Sequence, residues 1–218
     1  SILKKVGDVL DRMGPHPAEF IRASDPCQML DTLAGWRHRW TSHRDLACLL
    51  AGIRGAMRRY GTLEQAFLAG VSPEDADLRP AIGRFAAMLK EADARPFYGA
   101  RGPGRGLGFL LADPAKGSPV KRWFLFLRWV VRHDDGVDLG LWTGVPASRL
   151  TIPLDTHLFR ISRALGLTRL AAPSWEAARE VTARLSELDP ADPVRYDFPL
   201  CQTGISGACR GYRVDAVC

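Results

Sequence analysis

Residues 152–167 of the chain read IPLDTHLFRISRALGL. Apolar side chains recur in this stretch every three or four residues, which is typical of one face of an α-helix: Leu154, Leu158, Ile161 and Leu165. Gly166 gives the helix a natural end, and Asp155 stands where an N-cap residue is expected. Free backbone amides and the helix dipole would stabilise its carboxylate there. The stretch therefore predicts a core helix that opens on an ionised aspartate.

The same helical spacing recurs along the chain and predicts an all-α fold. Three further apolar faces have it: Leu46, Leu49, Leu50, Ile53 and Met57; Ile82, Phe85, Met88 and Leu89; Ala177, Val181, Leu185 and Leu188. Helix-start signals stand at residues 72–75, 118–119 and 174–176, where a serine precedes proline or glutamate. The glycine-rich and proline-rich residues 96–118 predict a long connection. We expect one helical domain over residues 1–218, with two helical lobes flanking a cleft and the catalytic segment at about 118–170.

Composition favours an acidic partner and argues against a membrane protein. The 218 residues carry a formal net charge of +6, which suits a polyanion such as nucleic acid. The longest apolar run, residues 123–131, is interrupted by Arg128 and is far shorter than the ~20 residues of a membrane span. The chain opens inside a predicted helix without the features of a signal peptide. We therefore expect a cytoplasmic protein that associates with the nucleoid, and we expect it to be a monomer.

The cysteines give no clear disulfide or metal pattern. There are five of them, an odd number, and Cys27 and Cys48 lie in apolar helical patterns where reduced thiols are usual. Cys201, Cys209 and Cys218 are spaced C-x7-C-x8-C, without a fourth ligand. We expect no metal and no cofactor, and an iron–sulfur cluster at these three residues is the alternative.

A second predicted helix, over residues 119–133, carries three basic side chains on one line. Lys121, Arg128 and Arg132 are spaced i, i+7 and i+11, which at about 100° per residue places them on one stripe of an otherwise apolar helix. Lys121 lies in the first turn, where the helix dipole and the adjacent Arg122 both disfavour an ammonium. A neutral lysine amine is the nucleophile that forms a Schiff base with a sugar aldehyde. The alternative is a side chain that reaches to solvent.

Two motifs resemble DNA repair enzymes. Residues 154–161, LDTHLFRI, resemble the VDTHIFRV signature of the endonuclease III branch of helix-hairpin-helix DNA glycosylases. The resemblance implies a helix-hairpin-helix glycosylase-like fold and makes Asp155 the catalytic aspartate. A helix that opens on Lys121, 34 residues before Asp155, is similar to the archaeal 8-oxoguanine glycosylase branch, and this makes Lys121 the catalytic lysine. Residues 121–129, 138–142 and 152–157 also resemble a bacterial family of unknown function.

The chain lacks the hairpin pattern LPGxGxxTA of endonuclease III. We expect residues 138–148 to replace it and to hold a phosphate through backbone amides near their glycines. The resemblance implies a double-stranded DNA partner and a lysine Schiff base that releases a damaged base, with 8-oxoguanine as the best candidate, and then nicks the strand. The predicted DNA contacts are Arg122, Arg128, Arg132, Gly140, Trp142, Gly144, His157 and Arg160.

Two alternatives come from the same residues. A monofunctional glycosylase would use Asp155 to activate water and Lys121 only for its charge, and it would leave abasic sites without strand cleavage. A non-catalytic helix-hairpin-helix module would bind DNA without releasing a base. The presence of both Lys121 and Asp155 favours an enzyme.

Overall fold

The computed structural model describes residues 1–116 and 120–206, and over these ranges the chain is built almost entirely from helices. The all-α prediction is confirmed. The helices are α1 (Ile2–Met13), α2 (Pro17–Ala23), α3 (Pro26–Thr32), α4 (His43–Tyr60), α5 (Leu63–Leu68), α6 (Arg79–Leu89), α7 (Arg95–Tyr98), α8 (Arg105–Leu110), α9 (Lys121–Val131), α10 (Thr156–Ala164), α11 (Trp175–Ser186) and α12 (Asp197–Ile205). A two-residue hairpin pairs β1 (Arg37–His38) with β2 (Thr41–Ser42). Short 3-10 helices cover Gly99–Arg101, Pro114–Lys116, Ala147–Arg149 and Pro193–Tyr196.

The chain divides into two compact units. The first unit contains residues 1–72 and 81–113, and the second contains residues 73–80 and those from 114 onward. None of the described helices is long and apolar enough to cross a membrane. The cleft expected from the sequence stays a prediction.

In the first unit, a buried aspartate joins three helices. Asp45 forms a capping box with Ser42 at the start of α4 and also accepts hydrogen bonds from the Tyr98 hydroxyl (2.8 Å) and the Leu107 amide (3.1 Å). Burial raises the pKa of Asp45, but the hydrogen bonds from Ser42, Tyr98 and Leu107 outweigh burial and lower it. Residues 96–116, the described part of the connection predicted over residues 96–118, therefore do not form one long connection. They fold into short helices held by this carboxylate and by the buried side chain of Phe97.

Gly52 of α4 lies close against the backbone at the end of α6. A Cβ atom at this position would lie 2.1 Å from the Leu89 carbonyl oxygen. Gly52→Ala is therefore expected to lower the free energy of unfolding by about 1–3 kcal/mol, measured by urea denaturation, because backbone rather than a flexible side chain must move. Gly55→Ala on the same helix meets nothing within 4 Å and should instead gain about 0.5–1 kcal/mol. An equal response of the two variants would contradict this account of the packing.

In the second unit, α9 and α11 supply much of the core. The Phe124 ring stacks on Trp175, with centroids 5.5 Å apart, and the guanidinium of Arg79 lies 3.9 Å from the centroid of the Trp175 ring. The start of α11 was predicted correctly, since the Ser174 hydroxyl accepts a hydrogen bond from the Ala177 amide. Trp175, Ala178 and Val181 are buried along this helix.

The structure corrects some predicted helix boundaries. Residues 72–75 form no helix start. The helix begins later, at Arg79, because the Asp77 carboxylate accepts the Arg79 amide at 2.7 Å. Leu165 and Leu188, assigned to apolar faces, lie beyond the ends of α10 and α11 and are exposed. The start signal at residues 118–119 lies outside the described residues, and Val120, just before α9, has a left-handed backbone (φ 35°).

Candidate active site

Lys121 and Asp155 meet at the N-terminal ends of two helices. Lys121 is the first residue of α9, and Asp155 is the N-cap of α10. The Lys121 Nζ atom lies 2.7 Å from Asp155 Oδ2. Two residues that the sequence separates by 34 positions thus form one ion pair.

The two oxygens of Asp155 have different partners. Oδ1 accepts the Leu158 amide at 2.8 Å, which is the N-cap hydrogen bond expected from the sequence, and Oδ2 faces Lys121. Burial raises the pKa of Asp155, but the Leu158 amide, Lys121 and nearby His157 together lower it below its ordinary value. The carboxylate of Asp155 therefore caps its helix with one oxygen and pairs with Lys121 through the other.

Lys121 is accessible, whereas its partner is more enclosed. The side chain of Lys121 is 41% exposed and that of Asp155 is 19% exposed. An ion pair of this kind consists of an ammonium and a carboxylate, so the nucleophilic amine forms only when the proton leaves Lys121. Asp155 Oδ2 is within hydrogen-bond distance to receive that proton. The pair can therefore convert the Lys121 ammonium to an amine by transfer of its proton to Asp155.

Arg128 and Arg132 belong to the interior and not to a DNA-binding surface. Both are buried, at 4% and 5% exposure. Their guanidinium groups form ion pairs with four aspartates: Arg128 with Asp138 (3.0 Å) and Asp197, and Arg132 with Asp138, Asp135 (3.0 Å) and Asp192 (2.9 Å). The prediction that these two arginines contact phosphate is therefore wrong, because a buried charge needs a protein partner and here has several.

Asp197 connects this network to the Lys121–Asp155 pair. Burial raises the pKa of Asp197 to about 6, and the ion pair with Arg128 offsets only part of that rise. The charges of Asp155 and Lys121 also act on it, in opposite directions. The network therefore lies close enough to the candidate site to affect its electrostatics.

Removing one arginine of the network is expected to destabilise the fold. In Arg128→Met, the buried Asp138 and Asp197 lose that counter-charge, and breaking a buried pair in this way costs about 3–5 kcal/mol of free energy of unfolding. Urea denaturation measures the loss. The matched control is Arg184→Met, which breaks the exposed ion pair with Glu187 and should cost no more than about 1 kcal/mol. A similar loss in both variants would argue that the buried network contributes little.

Comparison with protein families gives one match. The family model described as "Protein of unknown function (DUF2400)" matches residues 1–206. The chain belongs to the DUF2400 family. Searches of curated proteins and of solved structures found no significant match. The family description carries no activity, so the resemblance to DNA glycosylases stays a prediction.

In this DUF2400 protein, three residues that were predicted to contact DNA are exposed. In the sequence they lie close to Lys121 or Asp155. Arg122 follows Lys121 in the first turn of α9 and is exposed. His157 and Arg160 are exposed on the first turns of α10, and their spacing places them on one face of that helix. These three side chains stay candidates for phosphate contacts.

Residues 138–142 of the DUF2400 chain pack on the end of α9. The Leu139 and Trp142 amides donate hydrogen bonds, each 2.7 Å long, to the carbonyls of Trp129 and Val130. Gly140 is required there, because its φ is 60° and a Cβ would lie 2.8 Å from the Asp134 amide nitrogen. This backbone role of Gly140 is structural.

Trp142 and Gly144, the two other residues of this region that were predicted to contact DNA, differ in exposure. Trp142 is buried, with its ring edge-to-face with Phe126 at 5.4 Å, so the prediction that it contacts DNA is wrong. An aromatic side chain of this size is stabilised by burial against the neighbouring ring. Gly144 is exposed and stays a candidate for a phosphate contact.

Cys201 is a site residue that the sequence did not reveal in this role. Its Sγ atom lies 3.8 Å from Asp155 Oδ2, and it is a free thiol. Among the described residues, no group of three or more His, Cys, Asp or Glu side chains is arranged to hold a metal ion. Cys209 and Cys218, the other members of the cysteine pattern, lie outside the described residues. The only feature of the sequence that pointed to Cys201 was its spacing of one helical turn from Asp197. The apolar periodicity did not predict the helix that carries both residues.

Proposed function

We propose that this protein is a base-excision DNA glycosylase with abasic-site lyase activity. The observation that carries the proposal is the contact of Lys121 Nζ with Asp155 Oδ2 at 2.7 Å, at the first turn of two helices. The motif around Asp155 and the position of Lys121 resemble the catalytic residues of helix-hairpin-helix glycosylases. A nucleophilic amine beside an ionised carboxylate is what this chemistry requires.

The reaction follows from the two side chains. Asp155 takes a proton from Lys121, and the neutral amine attacks C1′ of a nucleotide that has been turned out of the duplex. The glycosidic bond breaks with its electron pair on the departing base, which takes up the proton from Asp155, and the carboxylate that is formed again stabilises positive charge at the sugar. The C1′–O4′ bond then opens with its electron pair on O4′, which takes a proton from the attached nitrogen, and the sugar stays bonded to Lys121 as a protonated imine. Loss of a C2′ proton expels the 3′ phosphate and nicks the strand.

Charge and exposure support a DNA substrate. The net charge of +6 favours a polyanion, and the exposed Arg122, His157 and Arg160 lie within about five residues of Lys121 or Asp155 in the sequence. Such side chains would hold the backbone on either side of a flipped nucleotide. The choice of 8-oxoguanine as the damaged base rests on the resemblance to the archaeal branch.

The test is borohydride trapping with three duplexes, which contain an 8-oxoguanine, an abasic site or no lesion. Borohydride reduces the imine to a stable covalent adduct that is resolved by gel electrophoresis. We expect an adduct with the first two duplexes and none with the third. An adduct with the abasic duplex alone would assign lyase activity to the site and a different damaged base as substrate. No adduct with either damaged duplex would refute the lyase mechanism.

A monofunctional glycosylase is the second candidate, because the same ion pair can also act without a covalent bond to the sugar. A resting ammonium on Lys121 could stabilise the departing base while Asp155 activates water. The two candidates differ in the product formed without borohydride. The monofunctional enzyme leaves abasic strands that break only on treatment with alkali, whereas the bifunctional enzyme releases nicked strands directly.

A further inference from the structure

Helix α12 lies close against α10 in the second unit. At Gly204, a Cβ atom would lie 2.9 Å from the Ile161 side chain and 3.2 Å from His157 Cβ. This approach leaves no room for a larger residue unless the neighbours move. The first residue of the same helix, Asp197, forms a buried ion pair with Arg128 of α9. Helix α12 is therefore fixed at both ends to the two helices that carry Lys121 and Asp155.

This arrangement places one thiol at the reacting carboxylate. Cys201 is one turn after Asp197 on α12, and its Sγ lies 3.8 Å from Asp155 Oδ2. The same oxygen accepts the hydrogen bond from Lys121. A protonated thiol is a weak donor, and a carboxylate oxygen can accept more than one hydrogen bond.

We propose that Cys201 is a positioning residue of this site, whose thiol donates a hydrogen bond to Asp155 Oδ2 and holds the carboxylate while Lys121 moves to the substrate. The effect of Cys201 on catalysis rests on the proposed function. When Lys121 forms a bond to C1′, Asp155 Oδ2 loses its strongest donor. The Cys201 thiol then remains to keep that oxygen directed at the sugar, while Oδ1 stays on the Leu158 amide.

The surroundings keep the thiol protonated. Burial raises the pKa of Cys201, and the carboxylates of Asp155 and Asp197 raise it further, whereas Lys121 lowers it. A thiol rather than a thiolate therefore faces Asp155 at neutral pH, as a hydrogen-bond donor must. A thiolate would also compete with Lys121 for the electrophilic sugar carbon, and its suppression leaves the amine as the nucleophile.

The coupling of Cys201 to Asp155 is measured without DNA, by alkylation with iodoacetamide followed by mass spectrometry of the Cys201 peptide. In Asp155→Asn, the carboxylate charge is lost while the N-cap is kept. Alkylation of Cys201 at pH 8.5 should then be about threefold faster than in wild type, because a larger fraction is thiolate. The two rates should converge in more alkaline solution, which separates ionisation from access.

The exposed Cys27 of the first unit is the internal control and should react equally in both proteins. Equal alkylation of Cys201 in wild type and Asp155→Asn would overturn the coupling.

The catalytic consequence is measured as the single-turnover rate of imine formation. We expect Cys201→Ala to slow this step about three- to tenfold, because a donor to the charged group is lost. Cys201→Ser keeps a donor and should stay within about twofold of wild type. Equal rates for wild type and Cys201→Ala, or equal losses in both variants, would overturn the positioning role. If wild type forms no imine with any duplex, the proposed function fails, and the alkylation result alone decides whether Cys201 belongs to the site.

Discussion

Lys121→Gln is expected to abolish the borohydride-trapped adduct and to slow strand cleavage by about 10³-fold or more, because the amide of glutamine cannot form an imine. The measurement is single-turnover cleavage and trapping on the 8-oxoguanine and abasic duplexes. Glutamine has good helix propensity and similar length, and the ion pair it breaks is partly exposed. The free energy of unfolding should therefore change by no more than about 1 kcal/mol.

The matched control for this variant is Lys4→Gln. Lys4 is an exposed lysine of α1 in the first unit, and its substitution removes the same charge from the protein. This variant should form the adduct at the wild-type rate. If Lys121→Gln still forms an adduct, another amine is the nucleophile, and the assignment of Lys121 is wrong.

Local signals in the sequence were sufficient for much of the fold and for the positions of Lys121 and Asp155 at the starts of their helices. The N-caps at Asp155 and Ser174 were predicted from the order of neighbouring residues, and the structure confirms both. Such caps depend on atoms only three residues apart, as in the bond from the Leu158 amide to Asp155. A pattern that short can be recognised without knowledge of the fold.

Contacts between distant segments could not be predicted in this way. Periodicity places Arg128 and Arg132 on one line with Lys121, but it does not show whether that line faces solvent or other charges. The deciding partners, Asp197 and Asp192, are 69 and 60 residues further along the chain. The residue types on this stripe suggested a DNA surface, whereas the distant aspartates make most of it an internal ionic network.

The prediction that the glycine-rich residues 96–118 form a long connection was wrong for the same reason. Glycine and proline weaken a helix, but the free energy gained from tertiary contacts readily outweighs this low helix propensity. Here Asp45, 62 residues before Leu107, accepts the Leu107 amide. A Cβ at Gly106 would lie 2.3 Å from an oxygen of the same carboxylate, so this glycine permits the close approach.

Helix α9 serves two purposes along its length. Its first turn presents Lys121, partly exposed, to Asp155, while the end of the helix buries Arg128 among aspartates. Because Arg128 also holds Asp197 at the start of α12, the network positions the helix that carries Cys201. The interior charges thereby support the geometry of the candidate site from inside the protein.

Asp155→Asn is expected to slow release of the damaged base by about 10²–10⁴-fold, because the proton acceptor for Lys121 and the negative charge at the sugar are both lost. Single-turnover release at pH 7 measures the effect. Since the pKa of Asp155 is held below its ordinary value, the wild-type carboxylate is ionised at this pH and throughout the range above it. Asparagine is also a good N-cap, so helix α10 should be retained.

The abasic duplex separates the two roles of Asp155. Imine formation on a preformed sugar aldehyde needs deprotonation of Lys121 but no departure of a base. A loss of rate on both duplexes therefore indicates that Asp155 accepts the lysine proton, whereas a loss only on the 8-oxoguanine duplex indicates stabilisation of charge at C1′. If Asp155→Asn binds DNA as tightly as wild type and neither protein releases a base or traps an adduct, the ion pair is structural and the chain is a DNA-binding module.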